Sequence, residues 1–242
     1  MRRWIRAATG LAALIAGGLL FAAAASAQQA DRPMRIGIIG TGNIGGALAR
    51  HWVAAGHEVL MSSRHPEELE PLAAELGPRA RAGTVAEAAE FGDVILVSVP
   101  YAALPQIGRD HADALRGKIV LDTSNPVERR DGPMALEAQQ KGAGPASAEF
   151  LAGTELVRAF NCIPATRLRN DAHRTPERIA IPIAGDDGDA LEVAAQLVRD
   201  AGFEPVVIGN LEDSRLFDLG GPLAGAWTAA ELRERVAALE LD

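Results

Sequence analysis

The sequence predicts an α/β domain, a doubly wound and mostly parallel sheet closed by a short C-terminal helical extension. Three observations predict it. The chain has 242 residues, of which 48% are hydrophobic and 23% charged, enough to bury a sizeable core in one domain. Short apolar runs alternate with segments of helical spacing from Met34 onward. The apolar runs carry little polar alternation, the pattern of strands covered on both faces.

The elements follow in order. Met34 to Ile39 is a short apolar run. Asn43 to Ala55 has helical spacing through Ile44, Ala47, Leu48 and Trp52, and His57 to Met61 is extended again, which completes a β-α-β unit. Glu67 to Leu76 and Val85 to Glu90 read as helices; Asp93 to Val99, Lys118 to Leu121 and Glu155 to Phe160 read as buried strands. Ile179 to Ala184, Ala190 to Arg199 and Pro205 to Ile208 continue the alternation. Right-handed crossovers are expected to gather the loops after these strands on one edge. Asn125 to Ala148 is rich in glycine and proline and reads as a loop, either a flap at the site or an inert surface segment. One domain therefore spans 34–223, and 224–242 forms a C-terminal helical tail, with Thr228 to Leu241 as an amphipathic closing helix.

The first residues are expected to lie outside this fold. Arg2, Arg3 and Arg6 precede an apolar stretch that ends in Ala25-Ser26-Ala27, the order of a bacterial secretory signal peptide over residues 1–27. Cleavage there removes three arginines and no acid, taking the net charge from -8 to -11 and leaving Gln28 as the first residue. The expected location is periplasmic or secreted, with no stable membrane insertion after cleavage. The Arg2-Arg3 pair resembles a loose twin-arginine signal, so export by the Sec or the Tat route stays open. An uncleaved anchor, or a start at Met34 that leaves the protein in the cytoplasm, are the competing readings.

Composition excludes several partners. With 24 basic against 32 acidic residues and a pI near 5.2, a broad nucleic-acid-binding face is not expected. The single cysteine, Cys162, can neither form an intramolecular disulfide nor supply a cysteine-rich zinc site, and no metal site is expected.

Chemistry enters at Gly40-Thr41-Gly42-Asn43-Ile44-Gly45. This G-x-G-x-x-G follows the first strand directly and opens the first helix. Gly40 permits a tight turn, Gly42 puts no side chain between backbone and pyrophosphate, and Gly45 allows close packing, while the free N–H groups of the helix face the anion. The pattern is that of a Rossmann-type NAD(P)-binding fold. At the end of the second strand an NAD site would carry a carboxylate for the ribose hydroxyls. Here the tip reads Ser62-Ser63-Arg64-His65, two hydroxyls and a guanidinium suited to a 2′-phosphate. The expected cofactor is NADP(H).

The reaction is narrowed by elimination. The only tyrosine, Tyr101, is followed by Pro105 where a Tyr-x-x-x-Lys pair would need lysine, which excludes that mechanism. Zinc chemistry lacks ligands, and too little chain follows Gly209 for a large helical second domain. What remains is hydride transfer that depends on positioning, with no catalytic side chain assigned.

MRIGIIGTGNIGGALA, the SSR tip, DVILVSVPYAAL, KIVLDTSNP, FNCIPATRLRN, IPIAGDD and NLEDSRLFD together resemble the F420-dependent NADP oxidoreductase family, from Met34 to about Leu223. The resemblance implies reversible hydride exchange between NADP(H) and a deazaflavin on a Rossmann domain, commonly as a homodimer. It implies that Thr41, Asn43 and Ile44 line the pyrophosphate and that Ser63 and Arg64 meet the 2′-phosphate. Val99, Pro100 and Tyr101 would border the nicotinamide, and Ile163, Pro164 and Ala165 would form a platform for the acceptor. The sequence departs from the family at Asn161, where F420-using members resemble L-H-T-I-P-A, and at Val207-Ile208-Gly209-Asn210, where the family tends to show Asp-x-Gly-Pro. Both departures fall on the acceptor side. The acceptor is thus a small flat molecule among F420, flavin, quinone and ferric chelate, and the alternative is a catalytically silent NADP(H)-binding or redox-sensing protein.

Of the remaining candidates, Asp186-Asp187-Gly188-Asp189 reads as a helix cap rather than a calcium loop. His51 and His57 read as structural or exposed, Cys162 as packing or redox-active, and Tyr101 as a hydrogen-bond donor to substrate or a packing residue.

Overall fold

The computed structural model describes residues 33–239; the leader expected over residues 1–27 lies outside them, as does the end of the closing helix. Within the described residues an eight-stranded sheet runs in the order β3-β2-β1-β4-β5-β6-β7-β8. The strands are β1 (Arg35–Ile39), β2 (Glu58–Ser62), β3 (Ala80–Gly83), β4 (Val94–Val97), β5 (Ile119–Asp122), β6 (Glu155–Arg158), β7 (Ala180–Gly185) and β8 (Glu204–Gly209). Helices α1 (Asn43–Ala54), α2 (Glu70–Leu76), α3 (Val85–Phe91), α4 (Leu104–Asp110), α5 (Ala112–Leu115), α6 (Glu128–Asp131), α7 (Pro133–Lys141), α8 (Ala143–Phe150), α9 (Ala165–Asn170), α10 (Gly188–Asp200) and α11 (Ala229–Leu239) complete it.

The apolar strand runs are explained by two cores, one on each face of the sheet. Ile36 and Ile38 of β1 join Trp52 of α1 and Leu197 of α10 in one core, while Ile39 joins Ala88 of α3 and Leu104 of α4 in the other. Successive residues point to opposite faces, so a strand feeding both cores has no polar side to show. Trp52 pins the first layer: its indole N–H donates to the Leu197 carbonyl at 2.9 Å. Gly37 lets β1 approach α3, since a Cβ there would lie 2.1 Å from the Ala88 carbonyl oxygen.

Strand order reverses between β1, with β2 and β3 beyond it, and β4, with β5 and β6 beyond it; this topological switch point is where a doubly wound sheet binds ligands. β7 pairs antiparallel with β6, and β8 parallel with β7. The expectation that the loops after the strands share one edge therefore holds for β1 to β6 and fails for the last two. The Asp186-Asp187 segment after β7 lies at the opposite edge, where Asp187 accepts from the Ala190 N–H at 2.8 Å and caps α10.

The Asn125–Ala148 loop is corrected to a run of helices, α6, α7 and most of α8. Its glycines and prolines punctuate helices rather than dissolve them: Gly132 (φ 70°) and Gly142 (φ 96°) end α6 and α7, and Pro133 occupies the first turn of α7. Asp131 is buried and ties the segment down, accepting from the N–H groups of Val127 at 2.9 Å and Ala102 at 3.3 Å. The closing helix begins at Ala229, one residue later than expected, and buries Leu232 in the core. Among the described residues no helix is long and apolar enough to cross a membrane.

Candidate functional site

The first half of the site is built from backbone at the end of β1. Gly40 sits at φ 95°, and a Cβ on it would lie 2.4 Å from the Ser98 carbonyl oxygen. Its own N–H and that of Thr41 donate to the Ser62 carbonyl at 3.2 and 2.9 Å, which ties the glycine turn to the tip of β2. Gly42 caps α1 without a side-chain hydrogen bond, and the first turn of α1 carries no acidic residue. The N–H groups there keep an unopposed partial positive charge. A Cβ on Gly42 would meet nothing within 4 Å, so its backbone is open to a ligand, whereas one on Gly45 would lie 2.5 Å from the Gly40 carbonyl oxygen. Asn43 is exposed and Ile44 half-buried. Thr41 Oγ1 is buried with no hydrogen-bond partner. An open backbone, an uncapped helix start and an unpartnered hydroxyl in one turn fit a pyrophosphate.

The tip of β2 adds the second contact. Arg64 is exposed and forms no ion pair among the described residues, and Ser63 is half-buried with its hydroxyl accepting from the His65 N–H at 3.0 Å. Ser62 differs from expectation. It is fully buried and its hydroxyl donates to the Ile38 carbonyl at 2.7 Å, so the residue serves the site through its carbonyl and offers no hydroxyl to a phosphate.

The second half lies at the tips of β4, β5 and β6. Val99 is half-buried and Pro100 exposed. Tyr101 is turned away: it is fully buried, donates to the Ala143 carbonyl at 3.0 Å and accepts from Ser147 Oγ at 3.2 Å, and burial pushes its phenol up to about 12. Its ring belongs to the core, which corrects the expectation that it borders the nicotinamide. After β6, Phe160 adopts φ 60°, unusual for a bulky residue, and turns the chain into Asn161. The Asn161 side-chain N–H₂ donates to the Phe217 carbonyl and to Asp218 Oδ1, both at 3.3 Å, and the Asn161 main-chain carbonyl accepts from Asn125 Nδ2 at 2.8 Å. Of the platform residues, Ile163 is buried in the core, Pro164 is exposed and Ala165 half-buried at the start of α9. Cys162 is buried, and its thiol is pushed up to about 12 by burial.

Sequence reasoning missed the charged group beneath this half. Arg158, at the end of β6, is fully buried between Asp122 of β5 (2.8 Å) and Asp218 (2.9 Å). Burial acts to lower its pKa, and the two carboxylates outweigh that and hold it raised. A signal existed: Asp122 and Arg158 are register partners on neighbouring strands, and each is the charge that closes an apolar run.

Known proteins share this architecture. The model of the family described as NADP oxidoreductase, coenzyme F420-dependent, matches residues 35–126. An F420-dependent NADP reductase of Methanothermobacter thermautotrophicus is 31% identical over 204 residues, covering 78% of this chain and 87% of that protein. The chain belongs to the F420-dependent NADP reductase family. A metalloreductase, STEAP3 of Rattus norvegicus, is similar at 32% identity over 75% of this chain, which spans 35% of that longer protein. A solved structure of a hypothetical protein from Sinorhizobium meliloti superposes with a TM-score of 0.71 at 28% identity, covering 81% of this chain and 96% of that one. Membership places the chain among NADP-dependent oxidoreductases on a Rossmann sheet.

Proposed function

We propose that the protein transfers hydride between NADP(H) and a flat redox acceptor of the F420 or flavin type, bound at the tips of β5 and β6. The observation that carries the reading is the open Gly42 backbone at an uncapped helix start, with the unpaired Arg64 at the neighbouring strand tip. The first turn of α1 and Thr41 Oγ1 would hold the pyrophosphate, and Arg64 with Ser63 the 2′-phosphate. Val99 and Pro100 would border the nicotinamide, with Pro164 and Ala165 facing the acceptor and Asn161 buried at the head of the same loop. The bound dinucleotide supplies or takes up the hydride. The chain contributes orientation: Tyr101 and Cys162 are buried and held protonated, so neither is placed to move a proton at neutral pH.

The test pairs calorimetry with turnover. NADPH is expected to bind more tightly than NADH, and NADPH to be oxidised in the presence of at least one of F420, flavin mononucleotide, menadione and ferric citrate. Absence of NADPH binding by protein stripped of nucleotide would overturn the reading. A silent NADP(H)-binding or sensing role is the second reading, favoured by Asn161, whose amide N–H₂ is already committed to Phe217 and Asp218; tight NADPH binding without turnover of any acceptor would select it. On the sequence of residues 1–27 we also propose action outside the cytoplasm, which a native N-terminus at Gln28 would support.

A further inference from the structure

Arg158 is the largest charged side chain with no exposure in the described residues, and it sits beneath the acceptor side rather than the nucleotide side. One of its terminal nitrogens, Nη1, donates to Asp122 Oδ2 at 2.8 Å and to the Ser124 carbonyl at 2.6 Å. The other, Nη2, donates to Asp218 Oδ1 at 2.9 Å and reaches Asn125 Oδ1 at 3.5 Å. A single planar fork thus joins the turn after β5, its own strand β6 and the segment that follows the 3-10 helix Leu211–Leu216. Asp218 spreads the constraint: the same Oδ1 accepts from the Asn161 amide, while Oδ2 accepts from the Ala143 N–H at 3.2 Å at the start of α8. Asn125 closes the ring by donating to the Asn161 main-chain carbonyl.

Burying a charge among three segments is costly unless each partner stays in place, so the segments are fixed relative to one another. The orientation of the Asn161 amide follows, because two acceptors, the Phe217 carbonyl and Asp218, claim its N–H₂ end. Neither Gly42 nor Arg64 is among these partners.

We propose that Arg158 is a positioning residue for the acceptor, holding Asn161 and the loop to Ala165 in place through Asp218. The inference rests on the reading that the acceptor binds at the β5 and β6 tips. It separates the two halves of the site: loss of the fork displaces the acceptor-facing loop and leaves the nucleotide cradle intact.

The experiment compares wild type with Arg158→Lys, Arg158→Met and Asp218→Asn, each checked for a native circular dichroism spectrum. Wild type is first assayed with F420, flavin mononucleotide, menadione and ferric citrate, and the acceptor reduced fastest becomes the probe. Misplacement of a bound reactant by about 1 Å costs up to about a hundredfold in rate, so a fall of about tenfold or more in kcat/KM for the acceptor is expected for Arg158→Met. The NADPH Kd is expected to stay within about twofold of wild type, and Arg158→Lys, which keeps the charge without the fork, to retain more of the acceptor kcat/KM than Arg158→Met. If Arg158→Met does not fold, Arg158→Lys and Asp218→Asn decide. An unchanged acceptor kcat/KM in the folded variants, or an NADPH Kd that rises by the same factor as the acceptor kcat/KM falls, overturns the inference alone. A wild type that binds NADPH and reduces no acceptor overturns the functional reading, and this inference with it.

Discussion

Gly42→Ala separates binding from folding. A Cβ at this position meets no atom within 4 Å, and the backbone at φ -89° and ψ -149° lies beside the extended region that alanine adopts freely. Alanine is a poorer N-cap than glycine by about 0.5 to 1 kcal/mol. It also restricts the unfolded chain, which offsets about 0.4 to 1 kcal/mol. The two effects nearly cancel, and the melting temperature of the nucleotide-free protein is expected to move by no more than about 2 °C. Binding is different, because the open space above Gly42 is where phosphate oxygens must approach the helix start. A methyl group there displaces them from at least two N–H groups, and charge-assisted hydrogen bonds contribute about 1.5 to 3 kcal/mol each. The expected loss is about 3 kcal/mol or more, a hundredfold weaker NADPH Kd. Calorimetric titration and a thermal melt on the same preparation check both halves. A Kd within threefold of wild type, with the melt unchanged, would refute the placement of phosphate against this backbone.

Three further outcomes follow from the same geometry. Gly40→Ala combines φ 95° with a Cβ only 2.4 Å from the Ser98 carbonyl oxygen, so it is expected to destabilise the fold by about 2 kcal/mol or more, read as a fall in the denaturation midpoint; unaltered stability would mean the turn is not held as described. Arg64→Ala should weaken NADPH by about 1.5 to 3 kcal/mol and NADH little, and equal losses for both would remove the 2′-phosphate from this residue. Tyr101 is the single tyrosine, so absorbance titration reads it alone: the native midpoint is expected near 12, against about 10 in denaturant. Between those values the unfolded chain has lost the proton and the native one keeps it, so stability falls as pH rises through that window. A native midpoint near 10 would show the phenol to be solvated.

Legibility followed the range of the interaction. The glycine turn is readable because each glycine answers to a neighbour set by local chain geometry, the doubly wound sheet because strand and helix alternate at regular spacing. The reversal of β7 was not readable: Ile179 to Ala184 is an apolar run with no direction written in it, and pairing against β6 is decided across the sheet. Asn125–Ala148 resembles a loop in sequence because glycine and proline mark helix ends as well as loops, and only burial of Asp131 and Ala138 shows which. Ser62 was placed at the right tip with the wrong atom facing the site, since composition cannot tell a hydroxyl from a carbonyl. Helices α4 and α5 and strand β3, of seven, four and four residues, are too short for a periodic signal to stand alone.

The two halves of the site answer to different physics, and this bears on how members of one family can differ in acceptor. The half proposed to hold the nucleotide is built largely on backbone: the Ser62 carbonyl holds the N–H groups of Gly40 and Thr41 beside the uncapped start of α1, and Arg64 adds its charge from the tip of β2. Side-chain changes elsewhere leave such a cradle standing. The half proposed to hold the acceptor rests on side chains, Asn125, Asn161 and Asp218, arranged around one buried guanidinium. Each can be exchanged without touching the glycine turn, so the acceptor can change while the dinucleotide does not. The departure at Asn161 falls in this exchangeable half, and its amide is engaged by Asp218, which Arg158 also holds. A change of acceptor at this edge therefore has to be read from the Arg158 network as a whole rather than from position 161 alone.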